Sequence, residues 1–211
     1  MIIELLTNPR AFFSTICKLE PSLKIPALII LVMAIIGSIT GYMMGELSGK
    51  LFSGMMEGLA TIAAVSAAIS TFFSSFIIWL VAAVILFGLQ KIMQGTGTFK
   101  RVMEICGYGM IPLVFATIIT LLLSGYYIPQ ADISPIRSTN PEEISQAAMS
   151  MMLDPALHEF SIISTIVTII FLIWVANIWS IGVETCCGLP AKKPSSSQDF
   201  RYSSMLSTPS Q

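Results

Sequence analysis

The chain has 211 residues, of which 55% are hydrophobic and only 11% are charged. A typical soluble domain carries about 25% charged residues, because it needs a polar surface around its core. The composition therefore excludes an ordinary soluble domain. The net charge of −1 indicates no particular partner, and no nucleic-acid partner is predicted.

Four stretches contain no Asp, Glu, Lys, Arg or His: residues 25–45, 58–90, 105–131 and 160–183. Each exceeds the roughly 20 residues that a helix needs to cross a hydrocarbon core about 30 Å thick. Nothing in the chain alternates like barrel strands, so the spanning elements are expected to be helices. The sequence predicts an all-α, polytopic membrane bundle with four transmembrane helices, together with interfacial helices at the N-terminus and in the external loop.

The basic residues indicate an orientation. Three lie before the first uncharged run, three between the second and third runs, and three after the fourth, whereas the other two connections have one each. Lys and Arg remain on the cytoplasmic side during insertion. Both termini and the central turn are therefore expected in the cytoplasm.

Residues 1–21 are predicted to form an interfacial segment. Asn8 suits the N-cap of a helix and Pro9 its first position. An apolar stripe follows, formed by Phe12, Phe13, Ile16 and Leu19. Two interpretations remain open: this helix lies on lipid headgroups through Arg10, Lys18 and Lys24, or it packs on the membrane domain itself.

Residues 22–185 are predicted to form the transmembrane domain, with spans at about 23–44, 59–93, 102–127 and 160–182. In the first span, Gly37, Gly41 and Gly45 recur at a spacing of four and flatten one helix face. Such a face allows close helix approach, either within the chain or in a homo-oligomer or another membrane complex.

The second span carries Ser66, Ser70 and Ser74 in one line. These hydroxyls either bond back to their own helix or form a polar seam between helices. In the third span, Pro112 follows Gly107, Tyr108 and Gly109, and a proline inside a helix predicts a bend. Glu104 and Lys100, at helical spacing, are interpreted as an ordinary surface pair.

An external helix is predicted from the Asn140 cap and Pro141 to Asp154. Residues 186–211 have few apolar side chains and are predicted to be a disordered polar tail.

No catalytic, cofactor or metal site is predicted. The single histidine, His158, could bind a cation with Asp154 or Glu46, but solvated acidic side chains are the preferred interpretation. Disulfides are not expected, because all four cysteines lie near the predicted cytoplasmic face, where thiols stay reduced. The sequence leaves open whether Cys106, Cys186 and Cys187 are modified or bind a soft metal.

Several motifs occur in a familiar order: NPRAFFSTI near the start, a proline-led first span, GTGTFKR, and then ICGYGMIPLVF. Over about residues 8–190 the chain resembles the Yip (Ypt-interacting protein) membrane family in its short prokaryotic-type form. The resemblance to that form implies a location in the plasma membrane of a prokaryote. That resemblance implies five spans and a cytoplasmic N-terminus, so a fifth span would be expected soon after Lys193, where this chain has a polar tail. Eukaryotic members have a long acidic arm, absent here, and are associated with Rab-type GTPases and vesicle traffic.

The leading hypothesis is a non-enzymatic scaffold or membrane-organising protein, with the lipid bilayer, further copies or other membrane proteins as partners. The alternative is a permease or channel component that uses the serine line, the bend at Pro112 and Glu104. No charged residue lies at the centre of a span, which removes support for proton-coupled transport and intramembrane proteolysis.

Overall fold

The computed structural model of the protein describes residues 2–52, 58–133, 135–136 and 140–188. All regular secondary structure in these ranges is helical. The α-helices, in chain order, are α1 (Ile2–Thr7), α2 (Pro9–Ile16), α3 (Lys24–Leu51), α4 (Leu59–Ile92), α5 (Phe99–Gly109), α6 (Ile111–Tyr127), α7 (Pro141–Leu153) and α8 (Pro155–Cys187). A short 3-10 turn, Ile128–Gln130, follows α6.

Four helical segments are long and apolar enough to span a membrane: Lys24–Leu51, Leu59–Ile92, Phe99–Gln130 and Pro155–Cys187. The predicted all-α bundle with four spans is therefore confirmed. The helices extend beyond the uncharged runs, because charged residues at their ends are accommodated on the helix surface. Glu46 pairs with Lys50 one turn later at 3.0 Å in α3. At the start of α8, the Asp154 side chain accepts a hydrogen bond from the Leu157 amide.

The spans differ in how much of their surface the protein covers. In the most apolar part of the third span 50% of the residues are buried, against 11–17% in the other three. Large aliphatic and aromatic side chains are exposed along the outer helices, among them Ile69, Phe73 and Ile77 on α4 and Ile166 and Ile173 on α8. A bilayer is the solvent in which such surfaces are stable, because lipid tails are as apolar as these side chains.

The third span lies at the centre of the arrangement. Helix α3 packs most extensively against α4, and α6 packs against both α3 and α8. Helix α5 contacts α4, α3 and α8, and so closes one end. Helices α4 and α8 make no extensive contact with each other within the described ranges.

Successive spans run in opposite directions, which separates two ends. We call one the basic end: it holds α1, α2, the turn 93–98 and the C-terminus of α8, with Arg10, Lys18, Lys24, Lys91 and Lys100. We call the opposite one the loop end, which holds the described residues of 128–133, 135–136 and 140–158. At the loop end the amide of Ile136 donates a hydrogen bond to the carbonyl of Leu51, which ties the connection to α3.

The predicted tail falls mostly outside the described residues, which end at Gly188. Cys186 and Cys187, placed in that tail by the sequence, belong to the last turn of α8. Gly188 follows with a φ of +64°, the left-handed conformation that commonly ends a helix.

Candidate functional site at the basic end

The N-terminal helices are docked on the bundle. Asn8 caps α2, and its side chain accepts a hydrogen bond from the Ala11 amide. Phe13 is completely buried, and Phe12 packs edge-on against the Tyr108 ring with centroids 5.1 Å apart. The sequence left two interpretations of α2 open. In the structure α2 packs on the membrane domain, which agrees with the second of them.

A buried ion pair holds the chain that follows α2. Arg101 and Glu104, three residues apart on α5, form a salt bridge with side chains only 9% and 3% exposed. Arg101 also donates to the carbonyls of Ile16 and Leu19. Glu104 accepts a hydrogen bond of 3.1 Å from the Ser22 amide. The pair thus supplies hydrogen-bond partners to backbone groups of the segment that leads from α2 into α3.

The pair is needed because the backbone carbonyls at the end of α2 require hydrogen-bond donors. The last carbonyls of a helix have no partner within the helix, and a cation placed there also meets the negative end of the helix dipole. A buried guanidinium in turn needs a counter-charge, which Glu104 supplies. The expected pairing of Glu104 with Lys100 was wrong, since Glu104 faces Arg101 and the 17–23 segment while Lys100 is exposed.

A disulfide joins Cys17 and Cys186, whose Cα atoms are 5.3 Å apart. The expectation that no disulfide forms was wrong. The fold brings these two cysteines together, 169 residues apart in sequence, because α2 folds back onto the end of α8. On a cytoplasmic face the bond is open to reduction. An ion pair of 3.2 Å between Arg10 and Glu184 connects the same two helices on the exposed side.

The sequence Gly107–Tyr108–Gly109 lies where the third span is interrupted. Helix α5 ends at Gly109, α6 begins at Ile111, and Pro112 occupies the first turn of α6. The amide of Met110, between the two helices, bonds to the Gly107 carbonyl three residues back. The structure thus has two helices separated at one residue, where the sequence predicted a bend.

Two tryptophans satisfy backbone carbonyls of α5. The Trp79 indole donates to the Met103 carbonyl at 3.1 Å, and the Trp179 indole donates to the Cys106 carbonyl at 3.0 Å. The glycines permit this approach: a Cβ on Gly107 would lie 2.5 Å from the Pro26 side chain, and one on Gly109 would collide with the Trp179 ring.

These contacts make the Gly–Tyr–Gly sequence a junction of four elements. Gly107 faces α3 and α4, Tyr108 faces α2, and Gly109 faces α8. Neither tryptophan was singled out for this role by sequence reasoning. A tryptophan in a buried position usually needs a hydrogen-bond acceptor for its indole N–H. The sequence could not identify these acceptors, because they lie 24 and 73 residues away.

The turn 93–98 is also built into this end. The Thr96 amide donates to the Cys187 carbonyl at 2.9 Å, and the Gln90 side chain donates to the Gly97 carbonyl at 2.8 Å. Thr98 caps α5 by accepting from the Arg101 amide. The polar groups of this glycine-rich turn therefore bond it to α8 through Thr96, to α4 through Gly97 and to α5 through Thr98.

The predicted glycine face lies against α4 of the same chain. A Cβ on Gly41 would lie 2.5 Å from the Thr71 hydroxyl, and one on Gly45 would lie 2.6 Å from the Ala63 carbonyl; Gly37 lies in ordinary contact distance of Thr71. Small residues on both helices allow their backbones to approach closely. No room remains on this face for a helix of a second copy.

The predicted serine line lies mainly on the outer surface. Ser66 and Ser70 are exposed, and Ser74 is half-buried. The Ser66 hydroxyl donates to the Ala63 carbonyl at 3.0 Å, within its own helix.

Within the described ranges, no group of three or more His, Cys, Asp or Glu side chains is placed to hold a metal ion. Cys106 is buried beside the Trp79 carbonyl, and Cys187 is buried next to the turn 93–98. His158 is at the loop end, far along the bundle from the cysteines of the basic end. The described part of this site is thus built for holding helices together.

Comparisons with known proteins agree with the resemblance noted from the motifs. The model of the Yip1 domain matches residues 3–196 of the chain. An uncharacterised protein of the archaeon Methanocaldococcus jannaschii is 33% identical over 125 residues, which cover 59% of this chain and 89% of that relative. No solved structure matches the chain. The match runs through the docked N-terminal helices, the Gly–Tyr–Gly junction and all four spans, and the chain belongs to the Yip1 domain family.

Proposed function

We propose that this protein is a non-enzymatic scaffold that organises other membrane components at the cytoplasmic face of a prokaryotic plasma membrane. The basic end faces the cytoplasm in this proposal, because Lys and Arg are retained on that side. The archaeal relative supports a prokaryotic setting.

The observation that carries the proposal is the way α1 and α2 are held. Their inner side is fixed by the buried rings of Phe12 and Phe13 and by the Arg101–Glu104 pair. Their outer side, and the segment after them, is exposed, with Leu19 60% accessible and Lys18 beside it. A fixed surface with exposed apolar and basic side chains suits contact with a protein partner.

Site-specific photo-crosslinking in cells that express the full chain tests the scaffold role. A photoreactive amino acid at Leu19 is expected to give discrete protein adducts, either with another membrane protein or with a second copy. The matched control is Ile77, an exposed position on α4 that faces lipid. Adducts at Leu19 that contain only lipid would contradict the proposal.

The alternative, a permease, predicts a different result in a second assay. The purified protein is reconstituted in vesicles, and the flux of a panel of ions and small solutes is compared with that of protein-free vesicles. The scaffold predicts no added flux. A specific flux would reject the scaffold as the main activity and favour the permease.

A further inference from the structure

Two neighbouring cavities, which share Met44 as a lining residue and which we call together the cleft, extend from the loop end toward the middle of the bundle. Each has a volume of about 430 Å³, within the range of about 300–1,000 Å³ that is typical of ligand pockets. The outer cavity lies beneath α7 and is lined by Ser48, His158 and Ser161. Met44 lines both cavities, so the inner one continues the outer one toward the middle of the bundle.

The inner cavity is lined by threonines from all four spans: Thr40 on α3, Thr71 on α4, Thr117 and Thr120 on α6, and Thr168 on α8. Thr168 lies nine residues beyond Glu159 in α8, which is about 14 Å along a helix. That depth is close to the centre of a hydrocarbon core about 30 Å thick. Hydroxyl groups therefore converge where the spans carry no charge.

The hydrogen bonds of these hydroxyls decide what they can offer a ligand. Thr71, Thr117 and Thr168 donate to carbonyls of their own helices at 2.7–2.8 Å. Each hydroxyl has one proton, so its oxygen remains available only as an acceptor. The Thr40 oxygen is buried and has no partner among the described residues. Three of the hydroxyls are thus available only as acceptors, whereas Thr40 can both accept and donate. The cleft therefore complements a hydroxyl group.

The charge of the cavity lining and its access from the bilayer restrict the class of ligand further. Among the described residues, no ionisable side chain lines the inner cavity, so a cation would lose its hydration without gaining a counter-charge. Thr168 is exposed, and α4 and α8 make no extensive contact with each other in the described part of the chain. The cleft is therefore accessible sideways from the bilayer.

We propose that this cleft binds a neutral, hydroxyl-bearing lipid of the monoacylglycerol type. Its hydroxyls lie among the threonines, and its acyl chain leaves between α4 and α8. This site is separate from the basic end and does not depend on the scaffold role.

Photoaffinity labelling of the purified full chain tests the proposal. The probe is a monoacylglycerol with a diazirine near its ester, and the matched probe is the methyl ester of the same fatty acid, which lacks the hydroxyls. We expect saturable labelling of α3 and α8 by the glycerol probe alone. Replacing both Thr71→Val and Thr168→Val should weaken binding about fivefold for each hydrogen bond lost. Thr185→Val, at an exposed hydroxyl of α8 outside the cleft, should leave the labelling unchanged.

Equal labelling by the methyl ester, or unchanged labelling of the valine variant, would overturn the proposal. Full competition by free glycerol would also overturn it, because the site would then take a water-soluble alcohol. If the valine variant does not fold, the double variant Thr71→Ser with Thr168→Ser is used instead, because it keeps both hydroxyls. The proposal requires that this variant is still labelled, and loss of labelling would count against the site.

Discussion

The indole of Trp179 on α8 donates a hydrogen bond to the carbonyl of Cys106, one turn before α5 ends at Gly109. This bond supplies a partner to a carbonyl at the interruption of the third span. It also fixes α8 to α5 inside the membrane, where an unsatisfied polar group is costly. Residue 109 is a glycine because any larger side chain there would collide with the Trp179 ring that makes this bond.

Trp179→Phe should destabilise the protein while keeping most of the ring. The Cys106 carbonyl loses its donor, and leaving a buried acceptor unsatisfied costs about 1–3 kcal/mol. Thermal unfolding in detergent measures the change. Trp174→Phe is the control, because Trp174 is exposed on the lipid-facing side. Equal loss of stability in both variants would contradict the role given to the Trp179 bond.

Arg101→Met should be more damaging than the double change Arg101→Met with Glu104→Met. The single change leaves the Glu104 carboxylate buried without its counter-charge, at a cost of about 3–5 kcal/mol, whereas removing both charges avoids that term. Lys100→Met, at the adjacent exposed position, should be nearly neutral. Unfolding temperatures of the three variants provide the comparison, and a double variant less stable than the single one would be inconsistent with a buried pair.

The disulfide predicts a specific pattern of thiol reactivity. In protein purified without reductant and then denatured, alkylation should modify Cys106 and Cys187 only, and digestion should yield a linked peptide that contains Cys17 and Cys186. Cys17→Ser should lower the stability by about 2–4 kcal/mol. Four alkylated cysteines in the wild-type protein would show that the disulfide is absent.

The contact between α3 and α4 predicts different tolerance at two glycines. Gly45→Leu should destabilise the fold by at least about 1–3 kcal/mol, because the new side chain would overlap Ala63 and Ala67 of α4. Gly88→Leu should be tolerated, since open space surrounds that position. Thermal unfolding and chromatographic size are measured together. If Gly45→Leu changed only the oligomeric size, the face would serve association between copies.

The spans could be predicted from the sequence because membrane insertion depends on local composition. The uncharged run 160–183 was enough to place α8, and the Asp154 cap and Pro155 explain why the helix starts earlier. The Asn8 cap and Pro9 likewise placed the start of α2 correctly.

The long-range pairings could not be predicted in the same way. Lys100 and Arg101 both lie at helical spacing from Glu104, and the choice between them is made by the 17–23 segment, which is distant in sequence. The threonines of the cleft are scattered over four helices, so no spacing within one helix reveals that they converge. The serine line of α4 is more regularly spaced than these threonines, and yet it lies mainly on the outer surface; its members are Ser66, Ser70 and Ser74.

The central claim is that four antiparallel spans place the docked N-terminal helices on the cytoplasmic side and α7 on the other. Lys18→Cys and Met149→Cys, both at exposed positions, test it by labelling with a membrane-impermeant maleimide. The account predicts that the Met149 variant is labelled in intact cells and that the Lys18 variant is labelled only after the membrane is permeabilised. Labelling of both variants in intact cells, or of neither, would contradict it.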